Sequence, residues 1–478
     1  MAGSTSKKDT ILTIHFVIMM VLMIGIGLLP PFSGITELGM DILAVFIGTL
    51  YGWMFLDFIV SSALGMLFLG LYGYTSVLGA FQAGISNQVV LMMLIAFGFV
   101  AVLNELNLTG AMASTLLNLK FTKGRPWAIV FMLFFAAWLI SAFADTLAAF
   151  LLFWSIVYKI ADQVGYERYS KEMGYLITGI IFFAAIGAYM FPFKPAILGF
   201  SAGYVAVMGP LDYNSYYVGY FIINVGMFIA YMLIGRLAGL DISKLNIDLS
   251  EYAGGAAWDA RAKWGLFFTL FFILYLSLPV FLPATPFVTA WKGSGIIGAT
   301  VIIVATAYVV RVDGERLVPN PAKLWKEATS WDLIFMIMAT MVIGDALRSP
   351  DGGIITSLMA WLTTVIGEMN WVVFTIICMV ALGLLTQIAH NLIIAAVLFP
   401  VFAPICANMG GDPMLWFMIM FLTINAAFTT PAASGWAAML HGNREWMTPQ
   451  TSYTFGFATL VAMWVGCILL IPIWLMIF

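Results

Sequence analysis

Charge is what this sequence has least of. Only 9% of its 478 residues are Asp, Glu, Lys or Arg, where a soluble globular protein carries roughly a quarter. That shortage excludes a water-facing surface of ordinary extent. The 20 basic and 23 acidic residues leave a net charge of −3, so there is no cationic face for a nucleic acid. The 3 cysteines, Cys378, Cys406 and Cys467, sit in apolar runs without paired or metal-type spacing. They exclude a disulfide framework and read as buried small hydrophobes. Histidine is equally scarce, and His15 and His441 show no ligand spacing. No Ser/His or metal constellation suggests an enzyme.

What the chain has in abundance is hydrocarbon: 63% hydrophobic residues and a mean hydropathy of +1.03. A chain this long could fill a water-soluble core without such an excess, so its solvent is lipid. In lipid every backbone polar group needs an internal partner, which leaves helices or closed barrels. The apolar runs are long and continuous rather than alternating over about ten residues, which excludes a barrel. The fold class is therefore an all-α polytopic membrane protein. A spanning helix takes roughly 20 apolar residues. That length predicts spans near 11–29, 36–54, 57–74, 88–105, 174–200, 217–238, 264–283, 293–310, 331–347, 413–440 and 452–476. The N-terminal MAGSTSKKDT runs into the first of these without a cleavage site and reads as a first span.

Two further apolar stretches, 127–158 and 371–406, are each interrupted near the middle by polar residues. The first carries Ser141 and Asp145-Thr146, the second Thr386-Gln387 and His390-Asn391. Such interruptions predict re-entrant hairpins. With both hairpins and a cytoplasmic N-terminus, nearly all lysines and arginines fall on one side. Only Lys292 and Arg348 face outward, and Lys194 is left within the membrane. The expected location is the plasma (inner) membrane.

The chain also repeats itself. Ala144-Asp145-Thr146 corresponds to His390-Asn391-Leu392, and each is followed by a proline inside an apolar span, at Lys194-Pro195 and Thr430-Pro431. Proline breaks a helix interior. Each half thus supplies one hairpin and one broken helix, entering from opposite sides. The expected organisation is a tail and first span (1–35), a first inverted repeat (36–238), a polar cytoplasmic linker (239–263) and a second inverted repeat (264–478). Inverted repeats with broken helices are the architecture of secondary transporters.

On ISNQVVLMMLIAFGFVAVL, AAWLISAFADTLAAFLLF, TQIAHNLIIAAVLFPV and NAAFTTPAASGWAAML, the chain resembles the divalent anion/sodium symporter family of the ion-transporter superfamily. The likeness runs over about residues 36–470. It implies a dimeric carrier of di- or tricarboxylates, whose hairpin tips and Thr-Pro loops bind solute and sodium. The corresponding residues here are Asp145, Thr146, Lys194, Pro195, His390, Asn391, Thr430 and Pro431. Candidates for the coupling ion or proton are Asp145, His390, Ala144 and Ala389. The family's tips carry Ser-Asn-Thr, and this chain departs from that at Ala144, Asp145, His390 and Leu392. It also has Lys194 where the family's loop has Thr. The departures fall on the residues that would hold sodium and carboxylate, which points to exchange or proton coupling without sodium. No cofactor is implied.

A charge at mid-bilayer costs about 2.5–3.5 kcal/mol or more, so Asp145 and Lys194 are expected to face each other. Lys194 has three candidate roles: a tethered cation in place of sodium, a carboxylate ligand, or the structural partner of Asp145. Asp145 is either a proton carrier or a fixed counter-ion. His390 is a further proton candidate, or a satisfied core group. The alternative function is a cation/proton antiporter with Asp145 as ion site. Gly199-Phe-Ser201-Ala-Gly203 matches a nucleophile elbow only if a strand precedes it. Asn107-Leu-Thr109 is a sequon on the cytoplasmic side, and Ser86-Asn87 reads as a helix cap. The aromatics read mostly as interface anchors and lipid-facing bulk. With cysteines introduced singly at Lys123 and Lys323, an impermeant maleimide should label both from the cytoplasmic side. Labelling from opposite sides would refute this topology.

Overall fold

Helices in this chain start where a short polar side chain can accept the first free amide. Asp57 accepts from the Val60 amide at 2.8 Å, Ser76 from Gly79 at 2.9 Å, Asn87 from Val89 at 2.9 Å and Asp259 from Ala262 at 2.7 Å. These are N-caps, and of the Ser86-Asn87 pair it is Asn87 that serves. The computed structural model of the chain describes residues 2–478 except 33, 107, 253–257, 355, 358–359, 361–368 and 432. The sequon asparagine, Asn107, lies outside the described residues.

The described helices run α1 Ala2–Gly25, α2 Glu37–Phe55, α3 Phe58–Leu71, α4 Val77–Ile85, α5 Gln88–Glu105, α6 Leu108–Leu117, α7 Pro126–Phe143, α8 Thr146–Val164, α9 Lys171–Gly187 and α10 Pro195–Met208. They continue as α11 Tyr213–Leu237, α12 Ala260–Phe281, α13 Pro286–Val309, α14 Pro321–Ala328, α15 Trp331–Arg348, α16 Trp371–Leu385, α17 Asn391–Asn408, α18 Pro413–Asn425, α19 Gly435–Gly442 and α20 Pro449–Ile477. Among the described residues, nine helices are long and apolar enough to cross a membrane. The fold is an all-α polytopic membrane protein.

Several expected spans differ in detail. Stretch 174–200 is two helices, α9 and α10, and stretch 413–440 is likewise α18 and α19. Within 127–158 the helix breaks at Ala144-Asp145, and α7 and α8 have 18 and 19 residues. Stretch 57–74 holds only the 14 residues of α3, about 21 Å at 1.5 Å per residue. The short helices α4, α6 and α14 fall outside every predicted span. A two-stranded hairpin pairs Arg311–Val312 with Glu315–Arg316. Its turn is Asp313-Gly314, with φ of 54° and 85°, the left-handed pair such turns require. Gly199–Gly203 lies inside α10 with no strand before it, so the nucleophile-elbow reading is excluded.

Two units can be told apart, and each draws on both halves of the chain. The first comprises 1–91, 198–216 and 330–424, and the second 92–197, 217–329 and 425–478. In the first, α2, α3 and α15 pack together, with α1 along α2 and α17 against α15 and α16. Glycine lets these helices approach: a Cβ on Gly52 would meet Ser61 Oγ at 2.2 Å, and one on Gly65 would meet Thr49 Oγ1 at 2.4 Å. His15 accounts for itself here by bonding the Tyr51 hydroxyl at 2.7 Å and stacking on Phe55.

In the second unit α7 and α8 pack on α9, and α9 packs on α19 and α20. The aromatic expectation needs correction here, because many rings are core. Tyr175 and Tyr231 stack at 4.7 Å, each hydroxyl donating to the other's carbonyl at 2.9 and 3.1 Å. Phe134, Phe182 and Phe183 are fully buried around them. Lipid is as apolar as these side chains, so burial alone gives little drive; close packing and interhelical hydrogen bonds of about 0.6–2 kcal/mol each take over. Where α9 meets the α7 backbone, a Cβ on Gly187 would lie 2.1 Å from the Trp138 carbonyl oxygen.

Two measurements check this packing. Gly187→Leu should destabilise by roughly 1–3 kcal/mol or more, because rigid backbone faces it; an unchanged melting temperature would contradict the packing. On the water side, Lys123 Nζ contacts Asp248 Oδ2 at 2.5 Å and Ser250 donates to Oδ1 at 2.7 Å. Together they hold the Asp248 carboxyl at about 2, below its ordinary 3.8. Its contribution is complete above the ordinary value and disappears as pH falls towards 2. Asp248→Asn should therefore flatten that part of the acid stability curve.

Candidate functional site

The site grows from helix ends. A helix leaves its last four carbonyls and first four amides without internal partners, and three breaks in the second unit expose such groups.

The first break is Ala144-Asp145. Asp145 Oδ1 accepts from the Ala148 amide at 2.7 Å, capping α8. Its negative charge suits the positive end of the α8 dipole. Across the turn, the Ser141 and Thr146 hydroxyls are 2.8 Å apart. The Ser141 carbonyl, in the last turn of α7, accepts from Lys194 Nζ at 2.7 Å, and a cation there suits the negative end of the α7 dipole.

The expected facing pair is not joined by a direct ion pair. Asp145 and Lys194 are absent from the ion pairs of the described residues, although the carboxylate acts on the ammonium through space. Each charge is met by a helix terminus rather than by the other charge. A lysine ammonium has three donors, and one is spent on Ser141.

The second break, 188–194, is held by rings. Phe191 meets Phe143 edge-on at 5.3 Å and stacks on Phe193 at 5.3 Å, while Phe193 packs on Phe272 at 4.2 Å. Pro195 opens α10, where its missing amide hydrogen costs nothing. Tyr189 donates its hydroxyl to Asn425 Oδ1 at 2.8 Å, a buried bond. Asn425 ends α18, so this bond ties the second break to the third.

The third break, 426–431 and 433–434, is closed by its neighbours. Ser434 Oγ donates to the Ala427 carbonyl at 2.8 Å, and His441 Nε2 donates to the Phe428 carbonyl at 3.1 Å. Thr430 is half-buried and Pro431 exposed. α18 stops at Asn425, well before Pro431, so the proline follows the break and does not cause it.

The sequence marked Ser141 only as part of the interruption, and Tyr189, Asn425 and Ser434, which also hold these breaks, were missed. Tyr189 and Asn425 were legible only as polar groups inside apolar runs. Sequence reading also missed a cavity of about 380 Å³ beside the first break, lined by Leu103, Asn104, Leu108, Thr109, Ala144, Asp145 and Ala148. Asn104 and Thr109 bring an amide and a hydroxyl to Asp145.

His390 and Asn391 belong to the first unit, with Ala389, at the break between α16 and α17. Leu392's amide is accepted by Asn391 Oδ1 at 2.9 Å and by His390 Nδ1 at 3.3 Å. Thr386 Oγ1 donates to the Ile424 carbonyl at 2.8 Å. The His390 ring is half-buried, edge-on to Phe58 at 6.2 Å.

No family model matches the chain, and no curated protein matches it. Among solved structures it is similar to the Alcanivorax borkumensis YdaH transporter, whose crystal structure revealed an unusual topology. The likeness has a TM-score of 0.53 at 18% identity and covers 83% of this chain and 88% of that one. At such identity the likeness establishes the fold.

A double-mutant cycle tests the geometry of the first break. Asp145→Asn keeps a good capping side chain and should cost less than about 1 kcal/mol. Lys194→Met leaves a carbonyl unmet and should cost about 1–3 kcal/mol. Their coupling should stay below about 1 kcal/mol, whereas breaking a buried ion pair costs about 3–5 kcal/mol.

Proposed function

We propose that the chain is a secondary active transporter of a small carboxylate, di- or tricarboxylate-like. It works without sodium, by exchange or proton coupling, through elevator-type alternating access. The observation that carries this reading is Lys194, a cation fixed on the Ser141 carbonyl in the interior of a chain with the fold of a solved membrane transporter. Its two remaining donors suit a carboxylate oxygen. Unwound backbone at 188–194, 426–431 and 433–434 supports the reading, because discontinuous helices are where transporters bind solute and coupling ion. The solute class comes from the resemblance to the divalent anion/sodium symporters, with Thr146, Pro195, Asn391, Thr430 and Pro431 as the further binding candidates. His390 and Asp145 are the candidate proton carriers. Treating 127–158 and 371–406 as re-entrant hairpins, a homodimer, and a plasma-membrane location with a cytoplasmic N-terminus complete the reading.

A second reading has its own support. The cavity that gathers Asp145, Asn104 and Thr109 offers oxygen ligands of the kind a cation takes, as in a cation/proton antiporter. The Lys194 charge weighs against it.

Thermal shift of the purified protein separates the two. Mono-, di- and tricarboxylates would be screened in sodium and in choline, at pH 5.5 and 7.5. A ligand at about 100 times its Kd should stabilise by about 2.7 kcal/mol. A carboxylate shift in choline that Lys194→Met abolishes is the expected result. A shift from sodium or pH alone, with none from carboxylates, would overturn it in favour of the antiporter.

A further inference from the structure

The first unit contains a second cavity, and none of the site residues named above lines it. It measures about 810 Å³, and its walls include Leu43 and Phe46 of α2, Leu347 of α15, Ile354, and Pro400 and Val401 of α17. That volume lies within the range of small-ligand sites, roughly 300–1,000 Å³. The wall is mostly carbon, with Thr356, Ser357 and Arg348 as its polar side chains. An occupant made of hydrocarbon would lose nothing by entering.

The rim is equally apolar. Phe32, which also lines the cavity, is 61% exposed, and nearby Leu28 and Leu29 are 81% and 51% exposed. In a membrane protein such a rim opens to lipid. One cation stands at the edge. Arg348 lines the cavity with its side chain 40% exposed. Its guanidinium gives one Nη to Asp345 at 2.6 Å and the other to the Val207 carbonyl at 3.4 Å. A guanidinium has five donors, so it can still reach a phosphate oxygen, and Asp345 offsets part of its charge.

We propose that this cavity is a lipid site: it takes one acyl chain of a bilayer phospholipid, with the headgroup phosphate at Arg348. A deep concave space suits a flexible chain, whereas a second copy of this protein would call for a broad, closely complementary face.

The test uses the full chain in nanodiscs containing phosphatidylglycerol with a photoactivatable group in its acyl chain. Cross-links mapped by mass spectrometry should concentrate at residues 43–46 and 400–401. Native mass spectrometry after detergent exchange should find a phosphatidylglycerol retained by the wild type. Leu43→Trp, which fills the space, should weaken retention about tenfold or more, equivalent to about 1.4 kcal/mol. Arg348→Gln should weaken phosphatidylglycerol several-fold and leave a neutral diacylglycerol unaffected. Val401→Phe serves as a second filler if Leu43→Trp does not fold. Cross-links scattered over the whole lipid-facing surface would overturn the proposal, as would unchanged retention in a folded filler variant.

Discussion

A helix that stops within hydrocarbon strands carbonyls and amides that nothing outside the protein can satisfy. Much of the polar detail in this chain answers that constraint. Lys194 meets the Ser141 carbonyl, Asp145 meets the Ala148 amide, Ser434 meets Ala427 and His441 meets Phe428. In the first unit, Thr386 meets Ile424 and Asn391 meets Leu392. Seen this way, the charged pair in the second unit is less an ion pair than two caps, each holding one helix of the same turn.

The packing supports the caps. Because lipid offers no hydrophobic drive between helices, contact depends on shape. Gly187 lets α9 lie directly on the α7 backbone, and Gly456 leaves room for the Phe428 carbonyl, which a Cβ would approach to 2.4 Å. The rings of Phe191 and Phe193 hold the segment that carries Lys194, so the ammonium reaches Ser141 from a fixed platform. Tyr189 then joins that platform to Asn425 at the end of α18. The loops are irregular in conformation but thoroughly anchored.

Composition made the membrane class legible at once, and polar letters inside apolar runs marked where the helices break. Asp145, His390 and Asn391 were readable as residues at those interruptions because short polar side chains prefer helix starts. Charge alone suggested that Asp145 and Lys194 face each other, but not that each is held by a helix end. Backbone groups at helix ends carry no letter in the sequence, yet they compete for the same charges. Pro431 misled in a similar way, since a proline marks where a helix cannot continue and not where it stopped. The Asp313-Gly314 turn was written plainly but lay hidden in a loop counted only for its charge. Rings such as Tyr175 and Phe134 gave no sign of facing protein, because lipid and core select the same side chains.

Lys194 also has a thermodynamic consequence. A positive charge borne by a side chain has a local concentration set by chain geometry, not by the surrounding solution. Its occupancy of the α7 terminus does not fall when the bath is diluted and needs no free ion to be gathered from it. The cation at the first break therefore belongs to the chain itself, where a bound inorganic cation would come and go with its concentration in the bath.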